Sequence, residues 1–264
     1  MAAMQIAVIL PAAGASSRFG AGSKLDADMG GRPVLQRTLE LFVHRDEVKA
    51  VVVAGPHDDE AWHEFSLRHA DKVGLYGGVV CRGGVTHRWE TVKAALAHVP
   101  EGCTHIAVHD AARPCTPPEL IDRVVRAGAT HDAVVPCVEI ADTVKRLSPE
   151  GEAKREIDPL DAILGGGDAS GVTVRTVEAT VSRERLALAQ TPQLFSADLL
   201  RRAYAQENLD STDDAGLVER LGEPVSVVEG DARNIKITRP HDVTVAMAIL
   251  GLKAPKGRES HKKF

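Results

Sequence analysis

The sequence predicts an α/β protein with a mostly parallel sheet, helices on both faces and an inserted β-arm. Short apolar runs, many of them β-branched, alternate with segments of helical period from the N-terminus onward. The runs are continuously apolar, which is typical of strands that helices cover on both faces. One stretch, at about 139–191, breaks the alternation. We expect this stretch to form the arm.

The elements follow in order along the chain. The first strands are predicted at 6–10, 50–54, 79–81, 106–109 and 133–138, and the first helices at 34–43, 59–70, 89–97 and 117–127. The segment Thr116-Pro117-Pro118-Glu119 predicts the start of the last of these helices, because it has the pattern of a capping box. After the arm we predict helices near 196–206 and 213–220, strands near 225–229 and 235–237, and a final helix from 240 to about 252. Ser196 and Thr212 are expected to cap the first two of these helices, with Asp198, Asp213 and Asp214 as acids in their first turns.

The arm and the end of the chain have their own signals. Two alternating pieces, 143–147 and 172–178, are separated by turn-forming residues such as Gly165-Gly166-Gly167. We therefore predict a single domain over 4–252 with an arm at about 139–191. The segment 253–264 contains five Lys or Arg residues against one Glu, together with Pro255 and Gly257, which predicts a disordered basic tail.

Composition and charge exclude several classes of protein. The 264 residues are enough to bury a core, and 44% hydrophobic with 26% charged residues is ordinary for a globular chain. The net charge of −5 does not favour binding to nucleic acid. No apolar run approaches the ~18 residues that span a bilayer, so we expect no membrane segment. The four cysteines form no CxxC pair, which favours free thiols in a cytoplasmic protein.

The turn after the first strand has the features of an anion-binding site. It reads PAAGASSRFG over 11–20 and is followed by Lys24. Small residues at 12–16 allow the backbone to approach a phosphate closely, and Arg18 and Lys24 add charge that matches a polyphosphate. The glycine spacing fits neither GxxxxGK[ST] nor GxGxxG. A surface turn with two solvated cations is the alternative interpretation.

Asp110 directly follows the fourth predicted strand, at the edge of the sheet where ligands of parallel sheets bind. A carboxylate beside a triphosphate most naturally holds Mg²⁺, so we predict Asp110 as a metal ligand. The alternative is that Asp110 caps a turn and pairs with Arg113. His109 is expected to orient backbone at the strand end and not to titrate in the mechanism. The glycines at 83 and 84, before Arg88, form another turn that could reach a base or ribose.

Five separated motifs occur together in this chain. They are Pro11-Ala12-Ala13-Gly14 with Arg18 and Lys24, Val108-His109-Asp110-Ala111-Ala112-Arg113-Pro114, Asp142-Thr143-Val144-Lys145, Thr191-Pro192-Gln193, and Asn234-Ile235-Lys236-Ile237-Thr238-Arg239-Pro240. In this order, over about residues 5–252, they resemble the 2-C-methyl-D-erythritol 4-phosphate cytidylyltransferase family. The chain departs from the family pattern at Ser23, where Pro is usual.

The resemblance implies a Rossmann-like nucleotidyltransferase fold. It also implies a homodimer joined through the β-arm, and a Mg²⁺-dependent transfer of a cytidylyl group from CTP to 2-C-methyl-D-erythritol 4-phosphate. The products would be 4-diphosphocytidyl-2-C-methyl-D-erythritol and pyrophosphate, in the non-mevalonate route to isoprenoid precursors.

The resemblance also assigns roles to residues. Arg18 and Lys24 would stabilise the triphosphate as charge develops on it, and Asp110 would bind Mg²⁺. Thr143, Arg183 and Lys236 would position the methylerythritol phosphate, with Arg113 nearby, and Arg183 could act in the partner's site. The predicted catalytic residues are Arg18, Lys24, Arg183 and Lys236. The predicted nucleotide-binding residues are Ala12, Ala13, Gly14, Arg18, Lys24, Gly84, Arg88, Thr91, Asp110 and Ala111.

Two other functions stay open at this point. A ribitol 5-phosphate cytidylyltransferase would share the nucleotide site and differ in the acceptor. A non-catalytic nucleotide-binding subunit would keep the fold and lack the chemistry, although binding alone would not require Arg18, Lys24 and Asp110 together with Arg183 and Lys236.

Overall fold

A computed structural model describes residues 4–14, 19–20, 22–149, 154–156 and 172–253. The chain divides into two compact units, the first formed by Met1–Val138 with Ala189–Phe264 and the second by Glu139–Leu188. The second unit corresponds to the segment expected to form the arm. The organisation as one domain with an arm stays a prediction, and the predicted basic tail lies outside the described residues except for Lys253.

Twelve strands lie in the described part of the chain. They are β1 (Ile6–Pro11), β2 (Val48–Gly55), β3 (Val79–Arg82), β4 (His105–Val108), β5 (Ala133–Glu139), β6 (Val144–Leu147), β7 (Lys154–Glu156), β8 (Val172–Val174), β9 (Val177–Val181), β10 (Ala187–Ala189), β11 (Gln193–Ser196) and β12 (Ser226–Glu229).

The described residues also form seven α-helices and one 3₁₀ turn at Lys24–Asp26. The helices are α1 (Val34–Glu40), α2 (Asp59–Leu75), α3 (Arg88–Leu96), α4 (Pro118–Gly128), α5 (Ala197–Tyr204), α6 (Ala215–Arg220) and α7 (Pro240–Ile249). None of these helices is both long and apolar enough to cross a membrane.

The sheet of the first unit confirms the predicted α/β fold. Its strands follow the order β5-β11-β4-β1-β2-β3, and β12 pairs with β5. The pairs β1–β2, β1–β4, β2–β3 and β5–β12 are parallel, whereas β11 runs antiparallel to both β4 and β5. Because β1, β2, β3 and β4 run in one direction, their carboxyl ends meet at one edge of the sheet.

Helices cover both faces of this sheet, as predicted. Successive side chains of a strand point to opposite faces, and in β1 Val8 and Leu10 face one side while Ala7 and Ile9 face the other. The first face packs against α1, α2, α4 and α7, and the second against α3, α5 and α6. Both faces of β1 are fully buried, which explains its continuously apolar sequence.

The second unit is built from antiparallel strand pairs. Strand β6 pairs with β9, and β7 pairs with β8. The alternating pieces predicted at 143–147 and 172–178 therefore do form strands.

The structure corrects three local predictions. Thr116 does not cap α4, since the cap position is Pro117 and the Thr116 hydroxyl donates instead to the Asn234 side chain, at 2.8 Å. Ser196 precedes α5 but makes no side-chain capping bond. The strand predicted at 235–237 does not form, because the segment makes a single backbone bond to the loop after β4, from Ile237 N–H to Ala112 O at 2.8 Å.

Candidate active site

A cavity of about 270 Å³ opens at the carboxyl ends of β1, β3 and β4. This is the edge where parallel sheets bind their ligands. It is lined by Pro11, Ala12, Ala13, Gly14, Lys24, Leu25, Gly84, Val85, Thr86, His87, Arg88, Thr91, Asp110, Ala111, Ala112 and Lys236.

Small residues after β1 form one wall of the cavity. The Ala12 N–H donates to Ala54 O at 2.7 Å, so this group continues the sheet and is not available to a phosphate. Among the described residues, the backbone of Ala13 and Gly14 therefore forms the remaining part of the predicted anion-binding turn. Arg18, the predicted cation of this turn, lies outside the described residues.

The turn between β3 and α3 forms a second wall. The Gly84 N–H donates to the Thr91 hydroxyl at 3.1 Å, so Thr91 holds the turn in place. A β-carbon on Gly83 would lie 2.7 Å from Gly55 O and 2.9 Å from the Ala13 β-carbon. Glycine is therefore required where this turn passes the wall formed by Ala13.

Lys24 reaches the cavity from a short 3₁₀ turn that is fixed at both ends. The Ser23 hydroxyl accepts from Leu25 N–H at 3.2 Å and so caps the turn. At its other end, Asp26 accepts from His69 Nε2 at 2.6 Å and pairs with Arg68 on α2. These contacts fix the turn that carries Lys24.

Asp110 lies among three cationic side chains. Its Oδ2 accepts from Arg113 Nε at 3.0 Å and pairs with Lys236 Nζ at 3.1 Å. Its Oδ1 is 3.7 Å from Arg88 Nε, which is beyond hydrogen-bond distance. Burial alone would raise the pKa of Asp110, but the positive charges of these three residues hold this pKa well below its ordinary value. The carboxylate is therefore ionised near neutral pH.

Arg88 lies between Asp110 and a second carboxylate. Its Nη1 is 2.7 Å from Asp214 Oδ2, and Asp214 is fully buried at the start of α6. The Tyr204 hydroxyl donates to Asp214 Oδ1 at 2.5 Å. Burial alone would lower the pKa of Arg88, but the two carboxylates raise it, so the guanidinium keeps its charge.

A layer of buried polar side chains lies behind Asp110. The Asp110 N–H donates to the Thr191 hydroxyl at 3.0 Å, and that hydroxyl lies 3.1 Å from His109 Nδ1. His109 Nε2 is 3.2 Å from Arg113 O. His109 therefore orients backbone on either side of Asp110, as the sequence predicted.

Asn234 links this layer to Lys236. Its side chain donates to Thr191 O at 2.8 Å and accepts from the Thr116 hydroxyl at 2.8 Å. Its own carbonyl accepts from Arg113 Nη1 at 2.6 Å. These bonds fix the backbone two residues before Lys236, and so they help to place its ammonium beside Asp110.

Asp110 fits Mg²⁺ as a carboxylate ligand that needs further ligands from a bound substrate. No group of three or more His, Cys, Asp or Glu side chains able to hold a metal lies in the part of the chain that the structure describes. Mg²⁺, however, is commonly bound by one or two carboxylates together with substrate phosphates. Among the described residues that line the cavity, Asp110 is the acidic one, so it would hold the ion with the remaining ligands supplied by a polyphosphate and water.

The structure brings together most of the predicted site residues, but not all. The predicted nucleotide-binding residues that it describes all line the cavity, as does Lys236. Arg113 does not line the cavity and instead contacts Asp110 from behind. Thr143 and Arg183 are exposed residues of the second unit, where the Arg183 side chain donates to Ile140 O and Ala141 O. Their predicted roles stay predictions.

Sequence reasoning missed the role of Asp214. The sequence pattern places the cap at Thr212 and Asp214 in the first turn, but α6 begins at Ala215 and the cap position is Asp214. The Asp214 carboxylate makes no capping bond and instead pairs with Arg88. Its neighbour Asp213 makes the hydrogen bond to the start of the helix, since its Oδ1 accepts from the Gly216 N–H at 3.0 Å. No signal in the local pattern distinguishes the two acids, because Arg88 is far away along the chain.

Comparison with known proteins shows the family of this chain. The model of the IspD family, described as 2-C-methyl-D-erythritol 4-phosphate cytidylyltransferase, matches residues 6–158 and 159–252. A protein of that name from Frankia casuarinae is 40% identical, over 95% of this chain and 83% of its own length. One from Bacteroides fragilis is 37% identical, over 84% of this chain and 88% of its own length.

Solved structures agree with these relatives. The crystal structure of 2-C-methyl-D-erythritol 4-phosphate cytidylyltransferase from Thermus thermophilus is 32% identical and superimposes with a TM-score of 0.67, over 94% of this chain and 100% of that chain. A crystal structure of a 4-diphosphocytidyl-2C-methyl-D-erythritol synthase gives a TM-score of 0.70 at 32% identity, over 95% of this chain and 99% of that chain. The Rossmann-like nucleotidyltransferase fold is therefore confirmed. This chain belongs to the 2-C-methyl-D-erythritol 4-phosphate cytidylyltransferase family.

Proposed function

We propose that this protein transfers a cytidylyl group from CTP to 2-C-methyl-D-erythritol 4-phosphate, in the non-mevalonate route to isoprenoid precursors. One observation carries the proposal: a wall of small residues, two lysines and one ionised carboxylate meet in a single cavity at the carboxyl edge of the sheet. This combination suits a nucleoside triphosphate with its bound cation.

The reaction needs alignment and charge neutralisation. An oxygen of the acceptor phosphate attacks the α-phosphorus of CTP, the bond from that phosphorus to the bridging oxygen of the β-phosphate breaks, and pyrophosphate leaves. The acceptor is already anionic near neutral pH, so no general base is required. Lys24, Lys236 and Arg88 provide positive charge in the cavity where two anions must meet.

Asp110 is suited to hold a cation and not to move a proton. The three cationic side chains around it keep its pKa well below the ordinary value, so it stays a carboxylate. With Mg²⁺ bound there, the ion would neutralise charge on the phosphates and order them. Arg113 and Lys236 share Oδ2 of Asp110 and thereby fix the direction in which Oδ1 points.

The acceptor site and the assembly belong to the same proposal. Thr143, Arg183 and Lys236 would bind the methylerythritol phosphate, and two chains would join through the second unit. Exposed apolar side chains in that unit support this, since water is a poor partner for them. They are Leu147, Val174, Val177, Leu186 and Leu188. The four free cysteines support a cytoplasmic location.

Pyrophosphate release by the purified protein tests the proposed reaction. With CTP, Mg²⁺ and 2-C-methyl-D-erythritol 4-phosphate, we expect pyrophosphate and a cytidylylated product identified by mass spectrometry. Ribitol 5-phosphate replaces the acceptor in a parallel reaction, and a preference for it would overturn the proposed substrate. Binding of CTP without turnover on either acceptor would favour a non-catalytic nucleotide-binding subunit.

A further inference from the structure

Asp214 carries a buried negative charge that neither the fold nor the cavity lining explains. Its side chain is 0% exposed, it is absent from the cavity wall, and it contacts Arg88 and Tyr204. A buried ion pair contributes little to stability compared with an apolar pair of the same size. The carboxylate therefore calls for another explanation.

Asp214 is also not needed to start helix α6. The Gly216 N–H donates to Asp213 Oδ1 at 3.0 Å, and the Ala215 N–H donates to Gln193 Oε1 at 3.1 Å. The first N–H groups of the helix are thus satisfied by other side chains. The carboxylate of Asp214 is directed to Arg88 and Tyr204 instead.

The position of Arg88 shows what this contact achieves. Its guanidinium lies 2.7 Å from Asp214 Oδ2 through Nη1, and its Nε stays 3.7 Å from Asp110 Oδ1. The other oxygen of Asp110 already contacts Arg113 and Lys236. A guanidinium released from Asp214 could close onto Asp110 Oδ1, because opposite charges attract strongly in a buried site.

We propose that Asp214 is a positioning residue, which with Tyr204 holds the Arg88 guanidinium against the cavity wall and so keeps Asp110 Oδ1 available to a nucleotide-bound divalent cation. The inference rests on the proposed function, since it assumes that the cavity receives a nucleoside triphosphate with its metal. It concerns the orientation of Arg88, so Asp214 itself contacts neither nucleotide nor metal.

The variant Asp214→Asn tests this role. The amide keeps the shape and can still accept from the Tyr204 hydroxyl, but the charge that holds Arg88 is lost. We expect the Mg²⁺ concentration that half-saturates CTP binding, measured by calorimetry, to rise about 10-fold or more, as is typical for partners behind a metal ligand. An unchanged Mg²⁺ requirement would overturn the proposal.

Glu40→Gln is a matched control. Glu40 also accepts from a tyrosine hydroxyl, Tyr76 at 2.8 Å, and pairs with an arginine, Arg32 at 2.7 Å, but it does not line the cavity. Loss of this charge should leave the Mg²⁺ requirement of CTP binding unchanged. An equal shift in both variants would indicate a general effect of removing a paired carboxylate and would count against the proposal.

A double variant separates positioning from general support of the fold. In an Arg88→Gln background there is no Arg88 guanidinium to close onto Asp110 Oδ1, so adding Asp214→Asn should leave the Mg²⁺ requirement unchanged. A further loss of similar size in that background would overturn the proposal.

If Asp214→Asn does not fold, Tyr204→Phe takes its place, because it keeps both charges and removes only the 2.5 Å hydrogen bond. We then expect a smaller shift in the same direction, and no shift would overturn the proposal.

The binding experiment needs no acceptor, so it is independent of the cytidylyl-transfer assay. A wild-type protein that transfers no cytidylyl group would contradict the proposed function. A wild-type protein that transfers it, with Asp214→Asn binding CTP and Mg²⁺ equally well, would contradict this inference alone.

Discussion

The imidazole of His109 is fully buried beside Asp110 but does not line the cavity. Burial lowers its pKa to about 4, so the ring is neutral at physiological pH. As a neutral ring with Nε2 protonated, it can donate to Arg113 O and accept from the Thr191 hydroxyl. His109 therefore holds in place the backbone around Asp110, the predicted metal ligand.

The buried His109 makes stability depend on pH. The pKa of a histidine is about 6.5 in the unfolded chain and about 4 in the folded protein, so the unfolded chain binds more protons between these values. The free energy of unfolding should therefore decrease as the pH falls from about 6.5 toward 4, by up to about 3 kcal/mol. Urea denaturation at a series of pH values measures this. His109→Gln should lose this part of the slope, and an equal slope in the variant would contradict the assignment.

Lys24 is the residue for which we expect the largest effect on chemistry. Negative charge on the leaving pyrophosphate is greater in the transition state than in bound CTP. Lys24→Ala should therefore lower kcat by about 100-fold or more, while CTP affinity falls by less than about 10-fold. Steady-state kinetics and calorimetry measure the two effects. Lys93→Ala, an exposed lysine on α3, is the control, and an unchanged kcat in Lys24→Ala would refute the role.

Among the elements that the sequence did not predict, strand β11 contributes most to the site. It is four residues long and enters antiparallel between β4 and β5. Its position brings Thr191, two residues before it, to the Asp110 backbone. The sequence marked 191–193 only as a motif, because so short a strand after a proline has little periodicity.

The turn from β3 to α3 should tolerate no side chain at Gly83. A β-carbon there would meet Gly55 O and the Ala13 β-carbon at less than contact distance. Gly83→Ala should therefore lower the free energy of unfolding by about 1–3 kcal/mol, and it should weaken CTP binding because the wall at Ala13 must shift. Gly74→Ala in α2, where nothing lies within 4 Å, should be neutral or slightly stabilising. Equal stability of the two variants in urea denaturation would contradict this account.

For the whole molecule, the predicted site residues are divided between the two units. The cavity, with Lys24, Asp110 and Lys236, belongs to the first unit, whereas Thr143 and Arg183 belong to the second. The family resemblance implies that the arm acts in the site of the partner chain. Dimerisation would then be part of catalysis.

Mixing two inactive variants tests this shared site. In a dimer of one Lys24→Ala chain and one Arg183→Ala chain, one of the two sites would carry neither substitution. After subunit exchange, an equal mixture should recover roughly one quarter of the wild-type activity, since half of randomly formed dimers are mixed. Either variant alone is the control. If the mixture stays as inactive as its components, each arm serves its own chain or the protein does not dimerise.

Much of the fold and of the candidate site could be predicted from local pattern. Strand and helix alternation, the small residues at 12–14 with Lys24, and Asp110 after an apolar run are features that periodicity and turn chemistry predict within a few residues. The errors have a common origin. Thr116 has the local pattern of a cap, but in the folded protein its hydroxyl donates a hydrogen bond to the side chain of Asn234, which is distant in sequence.

The sequence by itself therefore determined the class of fold, and it predicted the turn for an anion and the carboxylate for a cation. Only the tertiary structure decided which charges surround Asp110, that Asp214 holds Arg88, and that the Ala12 N–H belongs to the sheet. The physical reason is that propensity and hydrophobic period act between near neighbours along the chain. Ion pairs and buried hydrogen bonds join residues that only the packed sheet and its helices bring together.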